Sequence, residues 1–302
     1  MDGCAENLAS RPAVSVATDR VADTITVNLL KMAAGCGIIW RMNRPINTNW
    51  TEGYMKVEEY GKGNAKTIVM LHGAHLIHTF NRQYALSKSY HIVVPHIMGF
   101  GDHTDRIFQT DECVKELADY IKSLNKKVML VGFSLGAQLA FRLVAEYEEL
   151  FESAIIVSPW LLKEEPLLSE IARMNSRQLR QLKNKCFCGF LGMMNGLPPK
   201  VCKAFVAQMQ NVQEETVHNI VYNGITIDSV PKFADVKIPV IALAGAKEQD
   251  VVHNSVRRMA QINPNCRCEI WDKAAHNIPP LYAKRFNALI CAVSEANLNL
   301  AE

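Results

Sequence analysis

The stretch KKVMLVGFSLGAQLAFRLVAEYEEL, residues 126–150, decides the fold. Its first half is a short run of Val, Met and Leu, the composition of a strand buried on both faces. Its second half carries apolar residues at helical spacing. The junction is Gly132-Phe133-Ser134-Leu135-Gly136. A strand that enters a helix through a serine must turn sharply, and small residues two before and two after keep the turn free of clashes. Such a turn points the serine hydroxyl outward. The amides of the new helix, starting at about Leu135, then face any oxyanion formed on that serine.

Working outward, the same alternation repeats. YMKVEEYG (54–61), KTIVMLHG (66–73), YHIVVPH (90–96), SAIIVSPW (153–160), IPVIALAGA (238–246) and CRCEIWD (266–272) read as further strands, most of them short and flanked by Gly or Pro. TDECVKELADYIKSLN (110–125) reads as a helix capped by Thr110 or Asp111, with Val114, Leu117, Ala118, Ile121 and Leu124 on one face. HNIPPLYAKRFNALICAVSEANL (276–298) closes the chain as another. Strands alternating with helices predict an α/β fold, a mostly parallel sheet flanked by helices.

One block breaks the pattern. Between about Lys163 and Asp235 no strong strand appears, while LLSEIARMNSRQLRQLKN, PPKVCKAFVAQMQ and QEETVHNIVYN are helical in pattern. The expected organisation is therefore an N-terminal helical appendage (1–50), a first core segment (51–162), an inserted helical cap (163–235) and a second core segment (236–302). GMMNGLPP (192–199) has the glycines of a hinge or lid tip. Trp160, Phe187, Phe190, Met193 and Met194 are candidates for lining a pocket, or for ordinary contacts between cap and core.

Composition sets limits. The chain has 302 residues, a net charge of +3 and 49% hydrophobic residues, which is ordinary for a globular protein. That excess of charge gives no reason to expect a nucleic-acid partner. Residues 21–40 are apolar but interrupted by Asp23, Asn28 and Lys31, so no stable membrane insertion is expected. Val21, Ile25, Leu29 and Met32 instead share one helical face. That face is expected to dock on the core or, in the alternative, to join two copies in a homodimer or make a peripheral membrane contact. Asp2 stands where N-myristoylation needs glycine. Nine cysteines with no C-x-x-C pair and no clear signal peptide point to free thiols in a reducing, cytoplasmic setting.

A serine hydroxyl needs a base to attack. His276 lies after the last strand and before the last helix, where the fold expects it. The base needs a carboxylate to orient it. VIALAGAKEQDVV (240–252) offers Glu248 and Asp250; the register counted from Gly245 favours Glu248, with Asp250 the alternative. Gly73 lets the chain turn so that the amide of Ala74 can face Ser134 and act with that of Leu135 as an oxyanion hole. His72, His75, His78, His96 and His103 were weighed as a metal site, but side chains in such loops are expected to diverge, so no metal is predicted.

LHGAHL, PHIMGFGDH, GFSLG, GAKE and AAHNIP, in that order, make the chain resemble the α/β-hydrolase superfamily from about Tyr54 onward. The resemblance implies an eight-stranded, mostly parallel sheet, a helical cap, a Ser–acid–His triad and no cofactor. Two departures stand out. The family's P-D-x-x-G-x-G-x-S stretch lacks its aspartate and serine here, and the acid is glutamate rather than the commoner aspartate. The expected activity is that of a serine hydrolase, carboxylesterase-like, cleaving a small ester, thioester or lactone with an apolar part. A C–C bond hydrolase or cofactor-free lyase would use the same triad. A weakly catalytic or non-catalytic small-molecule-binding protein of the same fold is the alternative from another class.

Overall fold

The structure is a computed structural model and describes residues 55–164, 167–194 and 197–296. The N-terminal helix expected over residues 21–40, with its docking or dimer contact, lies outside the described residues.

Seven strands form one sheet in the order β1-β3-β2-β4-β5-β6-β7. They are β1 (Val57–Tyr60), β2 (Thr67–Leu71), β3 (His91–Pro95), β4 (Val128–Phe133), β5 (Phe151–Val157), β6 (Val240–Gly245) and β7 (Cys266–Trp271). Only β1 runs antiparallel; it pairs with β3. Among the described residues the sheet has seven strands, beside the eight that the family resemblance implied, and β1 starts two residues into the described chain.

The sheet is covered on both faces, and the strands alternate between them with period two. Val69, Leu71, Leu130 and Ile156 face one apolar cluster, with α1 (Thr110–Ser123), α2 (Leu135–Glu146) and α7 (Asp250–Ile262). Ile68, Met70, Met129, Val131, Ile155 and Val157 face the other, closed by Phe286 and Ile290 of α9 (Ala283–Ala296). That double burial is why the central strands read as continuous apolar runs. The C-terminal helical pattern is divided: α8 (Ile278–Leu281) ends at Tyr282 before α9 begins.

The cap of α1 differs from the sequence expectation. Gln109 takes the N-cap position without a side-chain hydrogen bond, and the Thr110 hydroxyl donates instead to the Asn223 carbonyl, 2.7 Å away. A long-range tie has displaced the local cap.

Four helices intervene between β5 and β6: α3 (Leu167–Leu182), α4 (Lys185–Met194), α5 (Pro199–Asn211) and α6 (Glu214–Tyr222). The sequence pattern gave three of them. It left α4 unread, because KCFCGFLGMM has no polar face to mark helical periodicity. The inserted helices are tied to the core by Lys163, whose ammonium donates to the carbonyls of Ile220 (3.0 Å) and Val221 (3.3 Å) at the end of α6. Burial pulls this lysine down to about 7.

Candidate active site

The site begins with how strands end. Register aligns Leu71 with Gly132, Phe133 with Val157, and Val157 with Leu243, so β2, β4, β5 and β6 finish at one level. Beyond that level the backbone keeps bonding sideways. Ser134 donates its amide to Val157 O (2.9 Å), Ser158 to Leu243 O (2.7 Å) and Gly136 to His72 O (3.0 Å). The carboxyl ends of parallel strands are where this class of sheet holds its ligands.

Ser134 has φ 54° and ψ −110°, a left-handed conformation that costs a non-glycine residue about 1–3 kcal/mol. The two glycines beside it are forced by contact. A Cβ on Gly132 would strike the Gly136 carbonyl, and one on Gly136 would strike the Leu71 carbonyl. Gly73 is equally constrained: a Cβ there would lie 2.9 Å from the Phe133 ring and 3.3 Å from Ser134 Cβ. The close approach brings the Gly73 backbone, one residue before Ala74, beside the serine. Among the described residues no protein acceptor takes the amide of Ala74 or of Leu135.

His276 Nε2 stands 3.2 Å from Ser134 Oγ, and His276 Nδ1 stands 2.7 Å from Glu248 Oε2. The carboxylate fixes the tautomer: Nδ1 carries the proton and donates, leaving Nε2 to accept. The imidazole also leans on the Phe133 ring, 4.9 Å between centroids. Glu248 is 2% exposed at its side chain and His276 is 49% exposed. Burial alone would raise the Glu248 carboxyl. Hydrogen bonds from His276, the Gly245 amide (2.8 Å) and the Ser158 hydroxyl (2.7 Å) outweigh it and hold the group below its usual value.

Asp250 is not part of this line. It starts α7, its side chain is 99% exposed, and it lies 3.8 Å from the His253 ring rather than near His276. Ser158 is the residue that sequence reasoning missed. It has φ 54°, like Ser134, and is buried. No motif marked it; its place at the end of the strand next to β4 was the available signal.

The histidine-rich loops behave differently. The amide of Ile97 donates to His72 Nε2 (3.0 Å), and burial drives His72 down to about 3. Neither His75 nitrogen has a hydrogen-bond partner, and burial takes it to about 4. His78 and His96 both turn toward Glu58, which also accepts from the Tyr60 hydroxyl at 2.6 Å. Burial opposes ionisation of Glu58, but these partners prevail and hold it at about 2. The His103 ring accepts from the Lys56 amide. Apart from His75, these rings meet backbone or a carboxylate, and among the described residues no three ligating side chains converge as a metal would need. Of the pocket-lining candidates, Phe190 and Met193 are 44% and 63% exposed.

The sequence model of the alpha/beta hydrolase fold matches residues 66–280. No curated protein matches the sequence. Solved structures with a similar fold include a bromoperoxidase from Bacillus anthracis (TM-score 0.65, 16% identity, covering 80% of this chain and 95% of that one). MenH from S. aureus is similar at TM-score 0.62 and 18% identity, over 82% of this chain and 100% of its own. A thermophilic esterase from Thermogutta terrifontis is similar at TM-score 0.60 and 18% identity, over 83% and 97%.

Proposed function

The chain belongs to the alpha/beta hydrolase fold family, and within it we propose a serine hydrolase that cleaves a small carboxylic ester, thioester or lactone with an apolar part. The observation that carries this reading is the unbroken line Glu248–His276–Ser134, set beside two amides that no protein group occupies.

In the proposed reaction Ser134 Oγ attacks the substrate carbonyl carbon as His276 Nε2 takes the hydroxyl proton. The carbonyl oxygen gains the negative charge, and the amides of Ala74 and Leu135 stabilise it. One such donor is commonly worth about 100- to 1,000-fold in turnover. Glu248 stays ionised, keeps the imidazole in its tautomer and stabilises the imidazolium. The tetrahedral species collapses, the bond to the leaving oxygen or sulfur breaks, and His276 returns the proton to that atom. A water, deprotonated by the same nitrogen, then hydrolyses the acyl-enzyme and regenerates Ser134. The half-exposed His276 gives that water a direct approach.

The non-catalytic alternative required an acid out of reach of the imidazole, and a carboxylate at 2.7 Å argues against it. The deciding experiment is covalent labelling with a fluorophosphonate followed by peptide mapping. An activated nucleophile carries the label at Ser134, and the Ser134→Ala protein carries none. A folded protein that stays unlabelled, or labels elsewhere, sinks the assignment.

A further inference from the structure

Helix α4 is built the wrong way round for a helix in water. Its buried side carries Cys188 and Gly192, which pack closely on α5: a Cβ on Gly192 would lie 2.7 Å from Cys202 Sγ and 3.4 Å from Phe205. Its outward side carries Cys186, Phe190 and Met193, all exposed, with Phe187 and Met194 half-buried at the shoulders. These three outward positions are spaced four and three apart, so they share one helical face. The single charge of α4 is Lys185, at its first position. A helix that is apolar all round belongs in an interior. Even the less apolar α2 obeys that rule, buried along most of its length against the sheet. Among the described residues nothing covers the outward face of α4.

The surroundings say what covers it. From residue 171 to residue 212 there is no aspartate or glutamate, while Arg173, Arg177, Arg180, Lys183, Lys185, Lys200 and Lys203 all occur. These seven cations exceed the net charge of the whole chain, +3, so the remainder is net acidic. All seven are exposed, and none pairs with a carboxylate among the described residues. Lys183 and Lys185 flank the start of α4, and Lys200 and Lys203 lie in the first turns of α5, the helix it packs on.

We propose that the α4 ridge, Phe190 and Met193, together with the exposed lysines and arginines of residues 171–212, unpaired among the described residues, docks the protein on an anionic lipid surface. The apolar side chains enter the boundary between headgroups and acyl chains, and the cations meet the lipid phosphates. A second copy of the chain would bring seven more cations to the same place and repel. A bare polyanion would satisfy the cations and leave Phe190 and Met193 wet. The association is peripheral, since no helix among the described residues is long and apolar enough to cross a membrane.

The test is co-sedimentation of the full chain with vesicles of equal parts phosphatidylcholine and phosphatidylglycerol, and with vesicles of phosphatidylcholine alone. Binding to the mixed vesicles is expected, weaker on pure phosphatidylcholine, and largely lost when salt rises from about 0.15 M to about 1 M. The Phe190→Ser/Met193→Ser protein should bind at least about tenfold more weakly, from the apolar area withheld. Each of Lys183→Gln, Lys185→Gln and Lys200→Gln should cost about fivefold. Both apolar residues are exposed, so an unchanged melting temperature is expected and excludes a folding defect. Three results overturn the proposal: no binding to mixed vesicles, binding indifferent to the apolar double substitution, or a dimer in sedimentation velocity that the same substitution dissolves. No substrate enters the assay, so its outcome is independent of fluorophosphonate labelling at Ser134.

Discussion

His75 and His276 both lie in loops that follow strands of one sheet, His75 after β2 and His276 after β7. His75 is buried, and among the described residues neither ring nitrogen has a hydrogen-bond partner. His276 is half exposed and is bonded at both. Burial without a partner leaves His75 at about 4, unable to take a proton near neutrality. A carboxylate on one nitrogen and an open side on the other make His276 an oriented acceptor. Six of the nine histidines fall between residues 72 and 103, yet the one lined up with a serine and a carboxylate lies elsewhere. Density of a reactive residue type along a chain is therefore a poor guide to chemistry; what each ring nitrogen touches decides.

The largest way to break that contrast is Glu248→Gln. The amide keeps the shape but can favour the wrong tautomer, and esterase turnover is expected to fall by about 10,000-fold with the fold intact. A loss under tenfold would show that His276 is oriented by something else.

The second test titrates the other histidine. The folded values of His72 and His75, about 3 and 4, lie below the ordinary 6.5. Their stabilising contribution is complete above pH 6.5. It is lost as pH falls from there toward the folded values, because the unfolded chain takes up protons first. His75 alone accounts for about 2–3 kcal/mol between pH 6.5 and 4.5. Denaturant unfolding should reveal the drop, and His75→Leu should make it shallower. An unfolding free energy that stays flat over this window would mean that the rings are hydrated.

A smaller effect sharpens the His276 side. Ser158→Ala removes one of the hydrogen bonds that hold the Glu248 carboxylate, and roughly a tenfold loss in kcat is expected with KM unchanged. The acid limb of the pH–rate profile should move up as well, since a weaker cradle lets Glu248 protonate sooner. Smallest of all is Asp250→Asn. With the side chain almost fully in water, activity should stay within about twofold; a large loss would return Asp250 to the site.

The fold was legible because its signals are local. Val/Ile/Leu runs ending in Gly or Pro gave the seven strands, and Gly132 and Gly136 marked the turn at Ser134. What could not be read had non-local causes. Ser158 meets Glu248 across 90 residues of sequence, through two strands whose adjacency the chain does not announce. The cap of α1 was misread because Asn223, over a hundred residues away, competes for the Thr110 hydroxyl. Helix α4 escaped because a segment apolar on every side carries no period. The run of cations on the inserted helices was hidden by averaging over a chain whose remainder is acidic.

Ser134 and Ser158 end neighbouring strands with φ 54°, a conformation that glycine adopts freely and serine does not. A glycine at either place would relax the backbone while deleting a hydroxyl that the proposed chemistry uses. Random drift toward a sturdier protein thus leads away from function at both of these positions. Lineages that keep both serines do so under continuing selection, and a paralogue that has lost its reaction should show the change there first.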